Sequence, residues 1–136
     1  MSKVRLTWVE ELKFLAEDEH DHAIVLDPGM EGQNGVGVRP MLLLLIGLGG
    51  CMGGDIVSIL RKKRVDLAGF EIVVEGERAE EHPKRWTKIV MRIKARGNVP
   101  PEALTRAFEL SRENYCSVFA TMKNPPEVSF EVGVEA

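Results

Sequence analysis

Apolar and polar residues alternate at the start of the chain. Val4, Leu6 and Trp8 are interleaved with Lys3, Arg5 and Thr7, and Leu12, Phe14 and Ala16 repeat the period of two, which predicts a hairpin. Ala23 to Leu26 reads as a third strand, ended by Asp27-Pro28-Gly29, and a glycine-rich loop runs from Gly29 to Gly37. Then the alternation stops. Between Met41 and Leu60 only Asp55 and Ser58 are polar, so the segment is oily on every side. Pro40 suits a first helical turn, whose amides have no internal partner. Arg61, Lys62, Lys63 and Arg64 suit the negative end of the helix dipole. A helix from Pro40 to Arg61 is predicted, roughly 33 Å long and without a solvent face. Phe70 to Glu77 reads as a strand, Glu80 to Lys84 as a turn, and Trp86 to Arg96 as a long strand. Thr87, Ile89, Met91, Ile93 and Ala95 form one face of that strand, opposite Lys88, Arg92, Lys94 and Arg96, as in an antiparallel sheet with one wet side. A second helix starts at Val99-Pro100-Pro101-Glu102, carries the stripe Leu104, Ala107, Phe108, Ser111 and Tyr115, and ends near Asn114. A short third helix runs from Cys116 to Lys123, and Val128, Phe130, Val132 and Val134 predict a final strand. Strands and helices in this order, without regular βαβ alternation, argue an α+β fold with antiparallel sheets.

Two other readings of the long apolar segment fail. A membrane span is disfavoured by Asp55, by five glycines, and by an uncharged run of a length better suited to a buried core helix. A buried strand is usually shorter and richer in β-branched residues. Its mid-chain position between polar segments is also wrong for a signal peptide.

At 136 residues the expectation is one domain, 1–136, large enough for a core. A net charge of −3 with both signs spread along the chain offers no footprint for nucleic acid or an anionic membrane. The acidic run Glu17-Asp18-Glu19-His20-Asp21-His22 reads as a solvated turn rather than a metal site. The glycine-rich loop lacks the strand–GxxxxGK–helix arrangement of a phosphate loop. The 2 cysteines and 3 histidines show no zinc spacing, so no metal is expected. No leader or secretory signal is read in the chain, and its cysteine pair fits a reducing cytoplasm.

The glycines are the oddity of the long helix. Gly47, Gly49, Gly50, Gly53 and Gly54 each cost about 1 kcal/mol against alanine in a helix interior, which only close packing can offset. The pairs Gly49/Gly53 and Gly50/Gly54 make grooves that another backbone can enter. Cys51 lies among them, with Gly47, Leu48, Gly54 and Asp55 as its helical neighbours. Taken by itself it reads first as a small core residue. Asp55, one turn on, would raise a neighbouring thiol's pKa, so a backbone amide or a cation such as Arg61 or Lys62 is its expected partner. Cys116, at a helix start, is a position where a thiol pKa can fall. Glu113 and Tyr115, beside Cys116, are candidate site-lining groups, Tyr115 reading more simply as the end of its helix's stripe. An all-apolar helix exceeds what two short sets of strands can cover, so a symmetric homodimer is expected, its long helices meeting at the glycine grooves.

The segments RPMLLLLIGLGGCMGGDIVSILRKKR, EHPKRWTKI and LSRENYCSV resemble the OsmC/Ohr family over nearly the whole chain. The likeness is greatest to its OsmC-like branch rather than to the organic hydroperoxide resistance enzymes. The specific signal is a cysteine midway along a glycine-rich central helix, with a second cysteine just after the next helix. The resemblance implies a cytoplasmic, intertwined homodimer whose antiparallel sheets wrap a long buried central helix. It also implies thiol peroxidase chemistry at the dimer interface, with organic hydroperoxide as substrate and no cofactor. Cys51 would be the attacking residue and Cys116 the resolving one, with an external dithiol as reductant.

The chain departs from the family pattern at one place. The hydroperoxide enzymes pair an arginine of the early strands with a glutamate just after the proline matched by Pro40. Here Met41 and Leu42 stand there, and nothing ties Arg5 to the site. Arg39 is the candidate substitute, reaching Cys51 of a partner chain across a two-fold helix pair. The competing reading makes Arg39 a surface residue. Three functions follow: a thiol peroxidase, a redox-sensing or small apolar ligand-binding dimer of the same fold, or a structural dimer with inert cysteines.

Overall fold

Three short antiparallel strands open the chain in the computed structural model, which describes residues 1–136. They are β1 (Arg5–Glu10), β2 (Lys13–Glu17) and β3 (Ala23–Leu26), paired in sequence order. Trp8 stands opposite Phe14 and Phe14 opposite Leu26, a ladder of large cross-strand neighbours that fixes the register. The turn after β3 is built on Asp27. Its carboxylate accepts from the Gly29 amide at 2.8 Å and the Val36 amide at 2.9 Å, and these two bonds hold its pKa below the usual carboxylate value. Gly35, at φ +71, lies so close to this carboxylate that any Cβ would meet it. The loop brings Val38 beside Leu26 in a parallel bridge. The acidic run is a turn as expected. Asp18 is engaged by the amides of His20 and His22 and by the His22 ring.

Helix α1 (Pro40–Lys62) follows, then β4 (Asp66–Arg78) and β5 (Trp86–Asn98), which form a two-stranded antiparallel sheet. Helix α2 (Pro101–Leu110) passes into a π-helical turn (Ser111–Tyr115), and α3 (Ser117–Lys123) ends the regular structure. The chain describes two compact units, residues 1–47 and 48–136, with α1 running through both.

Leu45, Leu48, Met52, Ile56 and Leu60 form the buried line of α1, three or four residues apart. In the second unit they feed two apolar clusters. Leu48 and Met52 pack with Cys116, with Cys51, Met91, Phe108 and Phe119 around them; Ile56 and Leu60 pack with Ala107, Phe70, Ile93 and Leu104. The alternation of β5 holds from Met91 onward: Met91, Ile93 and Ala95 are half-buried, while Arg92, Lys94 and Arg96 are exposed; near the strand's start Thr87, expected on the inward face, is exposed.

The glycines of α1 divide into two kinds. A Cβ at Gly49 would stand 3.1 Å from Val74, and one at Gly53 3.4 Å from Ile72, so this pair lets β4 lie close to the helix. Gly47, Gly50 and Gly54 face open space. Leu42, Ile46, Gly50, Gly54 and Ser58, each four apart, make an exposed stripe. The helix is therefore buried along one side only in the single chain.

The predicted final strand does not form. Val128, Phe130, Val132 and Val134 are fully alternating yet exposed, in irregular chain outside both sheets. An alternating segment needs a neighbouring edge to satisfy its backbone, and within this chain it joins neither sheet.

Candidate active site

Cys51 sits in the middle of α1, half-buried, and Cys116 is buried at the start of α3; both are free thiols. The two sulfurs and a carboxylate oxygen of Asp55 all lie within 4.8 Å of one another. Cys51 and Asp55 share a face because they are four residues apart on a helix. Cys116 reaches them through the turn before it.

That turn has a specific cause. The Cys116 amide donates to the Ser111 carbonyl at 2.8 Å, a span of five residues rather than four, which defines a π-turn. In a regular helix the residue four places after Ser111 would share its face, and that is Tyr115. The widened turn rotates Tyr115 outward, where it is 58% exposed, and puts Cys116 on the buried side in its place at 4%.

Ser111 is fully buried and donates its hydroxyl to Asp55 Oδ2 at 2.8 Å. The expected partners of Asp55, a backbone amide or Arg61 or Lys62, are thus replaced by a hydroxyl from α2's extension. Ser111 is the site residue that sequence reasoning missed. Its signal was available: it is the one small polar residue in the apolar stripe of the second helix.

The expectation of a depressed Cys116 pKa is overturned. Its sulfur does accept the Phe119 amide at 3.4 Å, as a cap of α3. Burial nevertheless pushes the Cys116 thiol above its usual 9.0, and Cys51 adds to the rise, against the pull of the Phe119 and Val118 amides. Desolvation disfavours the thiolate more than two weak sulfur hydrogen bonds favour it.

Glu113 is exposed and ion-paired with Arg112 at 3.0 Å, outside the thiol cluster. Arg39 is exposed in the first unit, ahead of α1, its carbonyl accepting the Leu42 and Leu43 amides. The single chain brings together Cys51, Cys116 and Asp55; Glu113 is not among them, and Arg39 belongs to the first unit.

Beside the thiols lies an apolar cavity of about 440 Å³, lined by Met52, Ile89, Met91, Ile93, Leu104 and Phe108 among others, with Arg112 in its wall. Met52, Ile89, Met91 and Phe108 also pack in the cluster that holds both cysteines, so the cavity and the thiols share a wall. Arg112 lies over the Phe108 ring at 5.4 Å.

The OsmC-like protein family model matches residues 32–131. The chain belongs to this family. The OsmC-like chain is 37% identical to Protein YhfA of Escherichia coli K12 over 133 residues, 96% of this chain and 97% of the relative. A solved structure of a hypothetical protein from Aquifex aeolicus VF5 is similar at 35% identity and TM-score 0.80, over 92% of this chain and 89% of that one. The fold is also that of the organic hydroperoxide resistance protein OhrB of Bacillus subtilis, at 13% identity and TM-score 0.62, over 91% of this chain and 92% of that one. The small antiparallel sheets and helices of this OsmC-like protein are those expected of an α+β member, and α1 is its core helix.

Proposed function

We propose that this OsmC-like protein is a thiol-dependent peroxidase for organic hydroperoxides. The observation that carries the reading is the approach of Cys51 and Cys116 to within 4.8 Å of each other and of Asp55. Resolution of a sulfenic acid requires two sulfurs that can close to about 2.05 Å by side-chain rotation, and this pair, 65 apart in sequence, is near enough to do so. Cys51, the more exposed thiol, attacks one oxygen of the peroxide. Its proton passes to the Asp55 carboxylate and from there to the departing alkoxide, so that alcohol leaves and Cys51 sulfenic acid remains. The Cys116 sulfur then attacks the sulfenic sulfur, water leaves, and a Cys51–Cys116 disulfide forms. An external dithiol reduces this disulfide and is itself oxidised to a disulfide. The cycle draws on no metal or organic cofactor. The neighbouring apolar cavity suits an organic rather than an inorganic peroxide.

Residues 1–136 act in this reading as one OsmC-like domain in a cytoplasmic homodimer. The matched family region crosses the boundary between the two compact units, which supports the first part. The exposed apolar stripe of Leu42, Ile46, Gly50 and Gly54 supports the second, because an unpaired face of this kind on a central helix is suited to an isologous contact.

A second reading is favoured by one observation: Met41 and Leu42 stand where the hydroperoxide enzymes carry their glutamate, and Arg39, the candidate activating arginine, is exposed in the first unit. The protein would then be a redox sensor or a carrier of a small apolar ligand, with slow turnover. Intact mass and thiol titration after one equivalent of cumene hydroperoxide decide between them. Rapid loss of both thiols, a Cys51–Cys116 disulfide, and repeated turnover with dithiol identify the peroxidase. Thiols that survive excess peroxide sink it. A single slow oxidation without turnover leaves the sensor.

A further inference from the structure

The donors that would carry the peroxide chemistry also have the make-up of a soft-metal site. Two thiols and one carboxylate converge from α1 and from the start of α3, all within 4.8 Å. In a tetrahedral zinc site, with Zn–S about 2.3 Å and Zn–O about 2.0–2.2 Å, neighbouring donors stand about 3.5–3.8 Å apart. Small rotations of the Cys51, Cys116 and Asp55 side chains therefore close the set. Thiolate pairs select thiophilic cations over magnesium or calcium.

The surroundings have the form of a supported site. The buried Ser111 hydroxyl holds Asp55 Oδ2 at 2.8 Å, which orients the carboxylate and leaves its other oxygen available, the role an outer hydrogen bond has in metal centres. The Phe119 amide points at the Cys116 sulfur. Apolar side chains pack around both cysteines, while Cys51 and Asp55 stay partly open to solvent.

We propose that the reduced protein binds one thiophilic divalent cation per chain, of the zinc type, through Cys51, Cys116 and Asp55, with the fourth position left to solvent. Binding joins both sulfurs to the cation and releases their protons. No electrons are transferred, since zinc is redox-inert. A metal-loaded site withholds Cys51 from peroxide, and the disulfide form cannot hold the cation. The site would thus be reversibly closed by metal in its reduced state only. The inference rests on the reduced geometry and stands apart from the peroxidase reading.

The test is calorimetric titration of chelator-treated, reduced protein with Zn²⁺, in the absence of peroxide. A parallel titration with Co²⁺ reads the near-ultraviolet absorption of thiolate-to-cobalt charge transfer. Saturable binding of one equivalent is expected, with the cobalt band present, both lost in Cys51→Ser and in Cys116→Ser. Asp55→Asn should weaken binding by roughly tenfold or more while keeping the band. Circular dichroism checks that each variant is folded, and Asp55→Asn retains the test if a cysteine variant is not. Absence of saturable binding by the wild type would overturn the proposal, as would Asp55→Asn binding as tightly as wild type. A protein that binds zinc but does not consume peroxide would sink the peroxidase reading alone.

Discussion

Ser111 and Asp55 are 56 residues apart in the chain, and the hydroxyl of the first is bonded to the carboxylate of the second at 2.8 Å. This contact ties the end of α2 to the middle of α1 at the level of both cysteines. Replacing the hydroxyl removes the donor without creating a large void. Ser111→Ala should therefore lower stability by about 1 kcal/mol, the low end for an unsatisfied group, because Asp55 is only half-buried and water can reach it. A reduced urea midpoint at unchanged m-value is the expected result. An unchanged midpoint would show that the bond contributes nothing net.

Cys51 should react first with a thiol reagent. Cys116 is 4% exposed and its pKa is raised, so access and thiolate fraction both act against it. Mass mapping after limiting iodoacetamide near pH 8 should place the first adduct on Cys51. Equal labelling in the folded protein would contradict the burial of Cys116.

The raised Cys116 pKa also has a consequence for alkaline stability. The unfolded thiol ionises near 9.0 and the folded one higher, so the native state holds its proton more tightly. The resulting stabilisation is complete below the unfolded pKa and is lost as pH rises through the folded value. Wild type should lose stability above pH 9 more steeply than Cys116→Ala. Parallel denaturation midpoints between pH 8 and 10.5 would remove Cys116 as the cause.

The two glycine pairs of α1 should respond differently to added bulk. Gly50 and Gly54 face open space in the single chain, whereas Gly49 has Val74 within 3.1 Å of any added Cβ. Gly50→Leu should leave the monomer folded and dissociate the proposed dimer, read by sedimentation velocity. Gly49→Leu should lower the melting temperature. A fully dimeric Gly50→Leu would exclude Gly50 from the helix contact.

Asp27 should protect its loop in an acid-sensitive way. Its depressed pKa comes from the Val36 and Gly29 amides, so the stabilisation exists above the unfolded value near 3.8 and is lost as pH falls through the folded one. In Asp27→Ala the Gly29 and Val36 amides should exchange hydrogen faster at neutral pH. Unchanged protection would show that the loop is held by other bonds.

Much of the architecture could be read from local pattern, because local pattern is what selects local structure. The period of two in Leu6, Trp8, Phe14 and Ala16, the run from Pro40, and the alternation along β5 each need only neighbours in sequence to specify strand or helix. Cys51 and Asp55 share a face for the same reason. The rest depended on long-range partners. Alternation at Val128 to Val134 stands exposed because a strand is completed by an edge, and alternation does not supply one. Ser111 was legible as an odd hydroxyl in an apolar stripe, but its partner was not. The arrival of Cys116 beside Cys51 was decided by one extra residue in the turn from Ser111, which moved Tyr115 out and Cys116 in. A regular helical count gives the opposite result there, and only the family resemblance implied the pairing, because residue spacing does not register the extra residue that a π-turn takes up.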